Sequence, residues 1–297
     1  MRGIKIRWFL YALVVLTGMS ACSSNRYAQT NKVHKERIKE VAEKIAAPLP
    51  APIPPPDTVA GMDDTTSSEI YVPSVAGKRK DLDWVGTINF NMRKPNFIII
   101  HHTAQDSMEQ TLRTFTLERT QVSAHYVISR DGSTYQMLND YLRAWHAGAG
   151  RWGKVTDMNS ASIGIELDNN GREPFPAVQI NSLLKLLDSL KSHYDIPAEN
   201  IIGHSDIAPS RKQDPSVYFP WKLLADNGFG IWYDETHLVE PPAHFDPEIA
   251  LRLIGYNTRD LPDAITAFKR HYIQSDIRPE WTPDDLKVLY NLFLKQK

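Results

Sequence analysis

Four consecutive apolar residues, Phe97-Ile98-Ile99-Ile100, constrain this chain more than any other stretch. A β-strand sends alternate side chains to opposite faces, so a strand apolar at every position must be covered on both. The neighbouring patterns meet that demand. Ser162 to Asp168 alternates, with Ile163, Ile165 and Leu167 on one face and Gly164, Glu166 and Asp168 on the other. Pro176 to about Tyr194 carries Leu183, Leu184, Leu187 and Leu190 on one helical stripe. Asn200 to Gly203 is a further short strand. Asp106 or Ser107 caps a helix running to about Arg119, and Val122 to Ser129 pairs with Thr134 to Leu138 around the turn Arg130-Asp131-Gly132-Ser133. Strands and helices mixed within one core of about 150 residues predict an α/β (α+β) fold, a mixed central sheet flanked by helices.

The chemistry gathers where the strand at Ile201 ends. Gly203 to Pro215 reads GHSDIAPSRKQDP, a Pro-containing loop holding an imidazole (His204), an ammonium (Lys212) and a carboxylate (Asp214). His and Asp both ligate zinc at about 2.0–2.2 Å, and one loop can bring the two to a single ion. Taken alone, each has an ordinary reading: His204 as a hydrogen-bonded residue at a strand end, Lys212 and Asp214 as a surface ion pair. A third ligand has to come from elsewhere, and His101, directly after Ile100, is the candidate. Three protein ligands with an open position describe a catalytic rather than a structural zinc site.

Composition narrows the partners. The chain is 42% apolar and 23% charged with a formal net charge of -1, which gives no argument for nucleic-acid binding. Cys22 is the only cysteine, so no intramolecular disulfide forms and no thiolate serves as a ligand in the core. Arg2, Lys5 and Arg7 precede the apolar run Trp8 to Leu16, which is too short for the ~20 residues of a membrane span. Residues 1–21 therefore read as a signal peptide. Leu16 to Cys22 resembles a bacterial lipobox, with Met19 where Leu is usual, and predicts cleavage before Cys22 and acylation of its thiol. A plain secretory signal with an incidental cysteine is the alternative. Residues 22–80 read as a lipid-anchored, Pro-rich tether. Within it Val33 to Ala47 fits a charged helix, Pro48 to Pro56 a polyproline II spacer of roughly 28 Å at ~3.1 Å per residue, and Asp57 to Ser68 a disordered connector.

Four patches in order, FIIIHHTA (Phe97 to Ala104), SAHYVISRDG (Ser123 to Gly132), SIGIELDNNG (Ser162 to Gly171) and GHSDIAPSRKQDP, carry a family resemblance. The chain resembles the zinc-dependent N-acetylmuramoyl-L-alanine amidases of the amidase-2 type, within the superfamily of the animal peptidoglycan recognition proteins. The lipoprotein subgroup shares the leader, an Asp as third ligand and a C-terminal helical extension. The resemblance implies zinc held by His101, His204 and Asp214, with His102 left to a supporting hydrogen bond. It implies Glu166 as general base and Lys212 as the cation facing the developing oxyanion. His146 corresponds to a substrate contact. Trp145 is either a stacking surface or core, and His125 either lines the cleft or is satisfied inside the fold. Relatives of the phage type often carry a Tyr where this chain has Ala124.

The same resemblance assigns residues 81–238 to the amidase domain and 239–297 to a three-helix module similar to small peptidoglycan-binding domains. Those helices read as Pro247 to Gly255, Leu261 to Ile273 and Pro283 to Lys295, the last two with cap-like starts at Asp260 and Thr282. A plain helical appendage is the alternative. The implied activity is zinc-dependent hydrolysis of the amide between N-acetylmuramic acid and L-alanine in peptidoglycan. The implied setting is the cell envelope, with a monomer held to the outer membrane by its lipid and facing the periplasm. The rival is a non-catalytic peptidoglycan-binding lipoprotein. Relatives that bind without cutting have lost zinc ligands, whereas this chain carries all three together with Glu166 and Lys212.

The leader generates a direct test. Cys22→Ser should release the protein from the membrane fraction while leaving soluble activity unchanged, because two acyl chains hold a protein far more firmly than one. Continued fractionation with membranes would point instead to an uncleaved leader helix.

Overall fold

A computed structural model describes residues 27–46 and 94–296. The signal peptide, Cys22, the Pro-rich segment, the tether other than residues 27–46, and the expected start of the amidase domain at residue 81 lie outside the described residues. The N-terminal unit contributes one described helix, α1 (Ala28–Ala46). It covers the charged helix expected from Val33 and begins five residues earlier. Val33, Ile38 and Val41 are exposed, and Lys39 pairs with Glu43 one turn on at 3.7 Å. Among the described residues no helix is long and apolar enough to cross a membrane.

The second unit is built on a five-stranded mixed sheet. In chain order the strands are β1 (Phe97–His102), β2 (Tyr126–Ile128), β3 (Thr134–Gln136), β4 (Ser162–Leu167) and β5 (Ile201–Gly203). Their spatial order is β3-β2-β4-β1-β5; only the β2–β3 hairpin is antiparallel. The two faces separate as the sequence pattern requires. Ile98 and Ile100 join Ile163, Ile165 and Leu167 on the face covered by α4 (Ala177–Tyr194), which buries Ile180, Leu183, Leu187 and Leu190. Phe97 and Ile99 pack on the opposite face with Met158, Ile202 and Ile207.

Boundaries moved where local hydrogen bonding competed with the ladder. The helix expected to reach Arg119 is α2 (Met108–Thr116), capped by Ser107, whose Oγ accepts from the Gln110 N–H at 3.2 Å. It ends early because Leu117 is extended and Thr120 Oγ1 donates to the Leu117 and Thr114 carbonyls. The segment before Tyr126 is not strand; its Ser123 N–H donates to the Trp145 carbonyl. Three short helices were not foreseen, α3 (Met158–Ala161), α5 (His204–Ile207) and α6 (Trp221–Asp226). The loop expected directly after Gly203 therefore starts with a helical turn. Asp206 closes that turn, its Oδ2 accepting the Gly203 N–H at 2.7 Å.

After α6 (Trp221–Asp226), three helices close the chain: α7 (Pro247–Ile254), α8 (Leu261–Tyr272) and α9 (Pro283–Leu294). Each begins with Pro at its first or second helical position, behind the capping side chains of Asp246, Asp260 and Thr282. They share an apolar core of their own, centred on Leu251, Phe268 and Leu289. A buried polar knot ties that core to the sheet. Asp206 is fully buried; beyond the Gly203 N–H it accepts from His271 Nδ1 and from the Tyr256 hydroxyl, each at 2.7 Å. The His271 ring stacks on Trp221 at 3.8 Å between centroids.

That knot is testable by urea unfolding. Asp206→Ala strands three buried donors and should lower stability by about 3–5 kcal/mol. Tyr256→Phe removes one donor and should lose about 1–3 kcal/mol. A loss under about 1 kcal/mol for Asp206→Ala would mean that the helices dock through apolar packing alone.

Candidate metal centre

Strand register assembles the site. In the parallel pair β1–β4, His101 lies opposite Glu166; in β1–β5, Ile100 lies opposite Gly203, so His204 follows at the same end of the sheet. Ligand sites in open α/β sheets form outside the carboxyl ends of parallel strands, and all three residues are there. Asp214 returns from the loop after α5, whose Ser205 N–H donates to the Asp214 carbonyl at 2.8 Å.

The result is a tight trio. His101 Nδ1 lies 2.9 Å from His204 Nδ1, and Asp214 Oδ2 lies 3.0 Å and 2.9 Å from them respectively. These ligand atoms all fall within 4.8 Å of one another. Two imidazoles and a carboxylate form a donor set suited to zinc, and three protein ligands leave room for water or substrate. Burial, reinforced by the charge of His204, lowers the His101 pKa to about 4, so its ring is neutral at ordinary pH, as a metal ligand must be. His102 points to the other face of β1, where its Nδ1 accepts the Ser216 N–H at 3.1 Å. It supports the loop and takes no part in the trio.

The remaining expected residues divide. A cleft of about 390 Å³ opens over the trio, with Glu166, Lys212, His146 and Trp145 on its wall and Phe115 and Val122 adding apolar surface. Glu166 Oε2 is buried without a hydrogen-bond partner. Burial, followed by the nearby Asp214 charge, raises its pKa to about 8, with Lys212 acting in the opposite sense. Trp145 is 47% exposed, which removes the core reading and leaves a stacking surface. His125 is a correction to the cleft reading. It is fully buried, with Nε2 on the Leu142 carbonyl at 2.9 Å and Nδ1 accepting the Gly164 N–H at 3.0 Å, so neither nitrogen reaches the cleft. His146 faces the cleft, but its ring nitrogens lie against His101 Nε2 at 3.0 Å and Ser162 Oγ at 3.3 Å. Two residues that sequence reasoning passed over, Asn159 and Ser162, hold the segment carrying His146. Asn159 lies just before the recognised strand pattern and Ser162 opens it, but nothing in their spacing signals a partner 12–16 residues upstream.

Comparison with known proteins follows the same residues. Residues 91–217 match a family described as N-acetylmuramoyl-L-alanine amidase. Over 206 residues the chain is 39% identical to the N-acetylmuramoyl-L-alanine amidase AmiD of Escherichia coli, covering 59% of this chain and 74% of that protein. It is 42% identical over 102 residues to the 1,6-anhydro-N-acetylmuramyl-L-alanine amidase AmpD of Haemophilus influenzae; that match spans 34% of this chain and 55% of the relative. The fold superposes on E. coli AmiD in complex with anhydro-N-acetylmuramic acid-L-Ala-D-gamma-Glu-L-Lys with a TM-score of 0.62 and 30% identity, covering 72% of this chain and 94% of that one. AmpDh3 of Pseudomonas aeruginosa, in complex with anhydromuramic pentapeptide, gives 0.63 and 27%, with 71% and 96% covered.

The raised Glu166 pKa has a sign that can be checked. The folded carboxyl, titrating at about 8, holds its proton through a range in which the unfolded one, near 4.5, has lost it. Folding stability in the presence of a chelator should therefore fall as pH rises from about 5 to 8. Glu166→Gln, always neutral, should remove that decline. Identical pH profiles of the urea midpoint for the two proteins would contradict the assignment.

Proposed function

The chain belongs to the N-acetylmuramoyl-L-alanine amidase family, and from that premise we propose that it hydrolyses, with zinc, the amide between N-acetylmuramic acid and L-alanine in peptidoglycan. The observation that carries the zinc dependence is the convergence of His101 Nδ1, His204 Nδ1 and Asp214 Oδ2 at the carboxyl end of the sheet. A zinc ion held by these three supplies Lewis acidity, bringing the pKa of water from 15.7 to about 7 and polarising a carbonyl.

The other roles rest on this chain's own groups. Glu166 is the proposed general base: its partnerless Oε2 takes a proton from the attacking water and delivers it to the amine of L-alanine as the C–N bond breaks. The ionised form that this requires is favoured by a cation at the ligand trio. Lys212, on the same cleft wall, neutralises charge gathering on the carbonyl oxygen. Trp145, with Phe115 and Val122, forms an apolar wall for sugar or stem peptide. The ligands carried by the AmiD and AmpDh3 structures, anhydromuramyl peptides, support this substrate class. We further propose residues 81–238 as the catalytic domain, 239–297 as a helical domain, and a lipid on Cys22 that holds the enzyme in the cell envelope.

Mass spectrometry of muropeptides incubated with the zinc-loaded protein should show the free stem peptide and the peptide-less sugar as paired products. His101→Ala, His204→Ala and Asp214→Ala should each lose zinc and activity together. Folded His101→Ala protein that stays fully zinc-loaded would sink the ligand assignment. Glu166→Gln should retain zinc and lower kcat by roughly 10²-fold or more. Near-normal turnover would make Glu166 an organiser of the site.

A further inference from the structure

The segment Ala144-Trp145-His146-Ala147-Gly148 touches both proposed histidine ligands from behind. His101 Nε2 lies 3.0 Å from His146 Nδ1, and His204 Nε2 lies 3.2 Å from the Ala147 carbonyl oxygen. An imidazole that binds a metal through one nitrogen carries its proton on the other, and the partner of that second nitrogen decides which is which. Resting on the zinc reading above, we propose that this segment sets the tautomer and orientation of both ligands at once, with His146 and Asn159 as positioning residues.

The direction of each hydrogen bond follows from two backbone carbonyls, which can only accept. The Ala147 carbonyl must receive the His204 Nε2 proton, leaving His204 Nδ1 with a lone pair toward Asp214. The second chain is longer but equally determined. Ser162 Oγ donates to the Met158 carbonyl and is left to accept from His146 Nε2 at 3.3 Å. His146 then has its proton on Nε2 and a lone pair on Nδ1, and accepts from His101 Nε2. His101 is left with its Nδ1 lone pair facing the same point as that of His204. Two carbonyls, 11 residues apart in sequence, thus aim two lone pairs and a carboxylate at one place, which is the arrangement a cation needs.

The segment is itself held rigidly. Asn159 Oδ1, buried on α3, accepts the N–H groups of both His146 and Ala147, at 3.0 and 2.8 Å. Arg211 Nη2 donates to the same Ala147 carbonyl at 2.7 Å from the loop that carries Asp214. Gly164 on β4 makes room for the His146 ring: a Cβ there would stand 2.4 Å from His146 Cγ. His146 is therefore a positioning residue for His101, whatever edge it also shows to substrate.

The test uses the full-length protein and reads zinc affinity by chelator competition, with the urea midpoint of the chelator-treated form as a folding control. His146→Ala and Asn159→Leu should weaken zinc binding by about 10–100-fold, the usual effect of removing a group that orients a metal ligand. His146→Asn, which keeps an acceptor where Nδ1 stood, should recover most of that loss. Unchanged zinc affinity in folded His146→Ala and Asn159→Leu would overturn the proposal. Long-range ¹⁵N–¹H NMR of the wild type reads the same question without any variant. Both His101 and His204 should carry the proton on Nε2, and a proton on Nδ1 of either in the zinc-loaded protein would refute it. Failure of the wild type to bind zinc would instead strike the metal reading itself.

Discussion

Parallel pairing of β1 with β4 and with β5 is the constraint on which the rest of the structure depends. Parallel strands end at the same edge, so side chains that follow three separate apolar runs arrive together. His101 sits across from Glu166 because β1 and β4 pair in one register; a one-residue slip would send Glu166 to the helix-covered face. Burial enforces the register. Ile98, Ile100, Ile163 and Ile165 are all buried on the face covered by α4, and a one-residue slip of β4 would turn Ile163 and Ile165 away from it. The hydrophobic effect thereby fixes the geometry of the polar groups, although none of them contributes to it.

Placing polar groups at the end of so apolar a sheet changes their chemistry. Burial lowers the His101 pKa to about 4 and raises that of Glu166 to about 8. Ring and carboxyl both move toward their neutral forms for the same reason, the cost of charge away from water. A neutral imidazole is a ready ligand, and a carboxyl without a partner is a ready proton carrier. The loop after β5 is held by Ser205 against Asp214, by Asp206 against the C-terminal helices, and by Arg211 against Ala147. The helical extension is thus mechanically continuous with the turn that presents His204, through Tyr256 and His271.

Much of this was legible in the sequence, and the reasons are local. Periodicity identified β4, α4 and the three terminal helices to within a residue or two, because each buries a face against a core, and β1 was readable from a continuous apolar run covered on both faces. Helix starts at Ser107, Asp260 and Thr282 were readable because a cap is a contact between residues two or three apart. The His101, His204, Asp214 set was legible because two ligands share one loop and the third ends a strand. The shortfall lay where short-range hydrogen bonds compete with longer elements: the early end of α2, the curtailed hairpin, and the helical turn beginning at His204.

The sequence by itself determined the class of fold and the candidate trio, since these follow from side-chain chemistry and from periods of two and 3.6. What only the tertiary structure decided is what holds each histidine and which of them reach the cleft. The sequence proposes His101 as a ligand and His102 as a support, but it leaves His125 between two roles and names no hydrogen-bond partner for any of the four rings. Their roles are set by partners 16 to 114 residues away: His204 and Asp214 for His101, Ser216 for His102, Leu142 and Gly164 for His125, Ser162 for His146. An imidazole can donate, accept or ligate. The choice belongs to whichever carbonyl, hydroxyl or amide the folded chain brings to its second nitrogen.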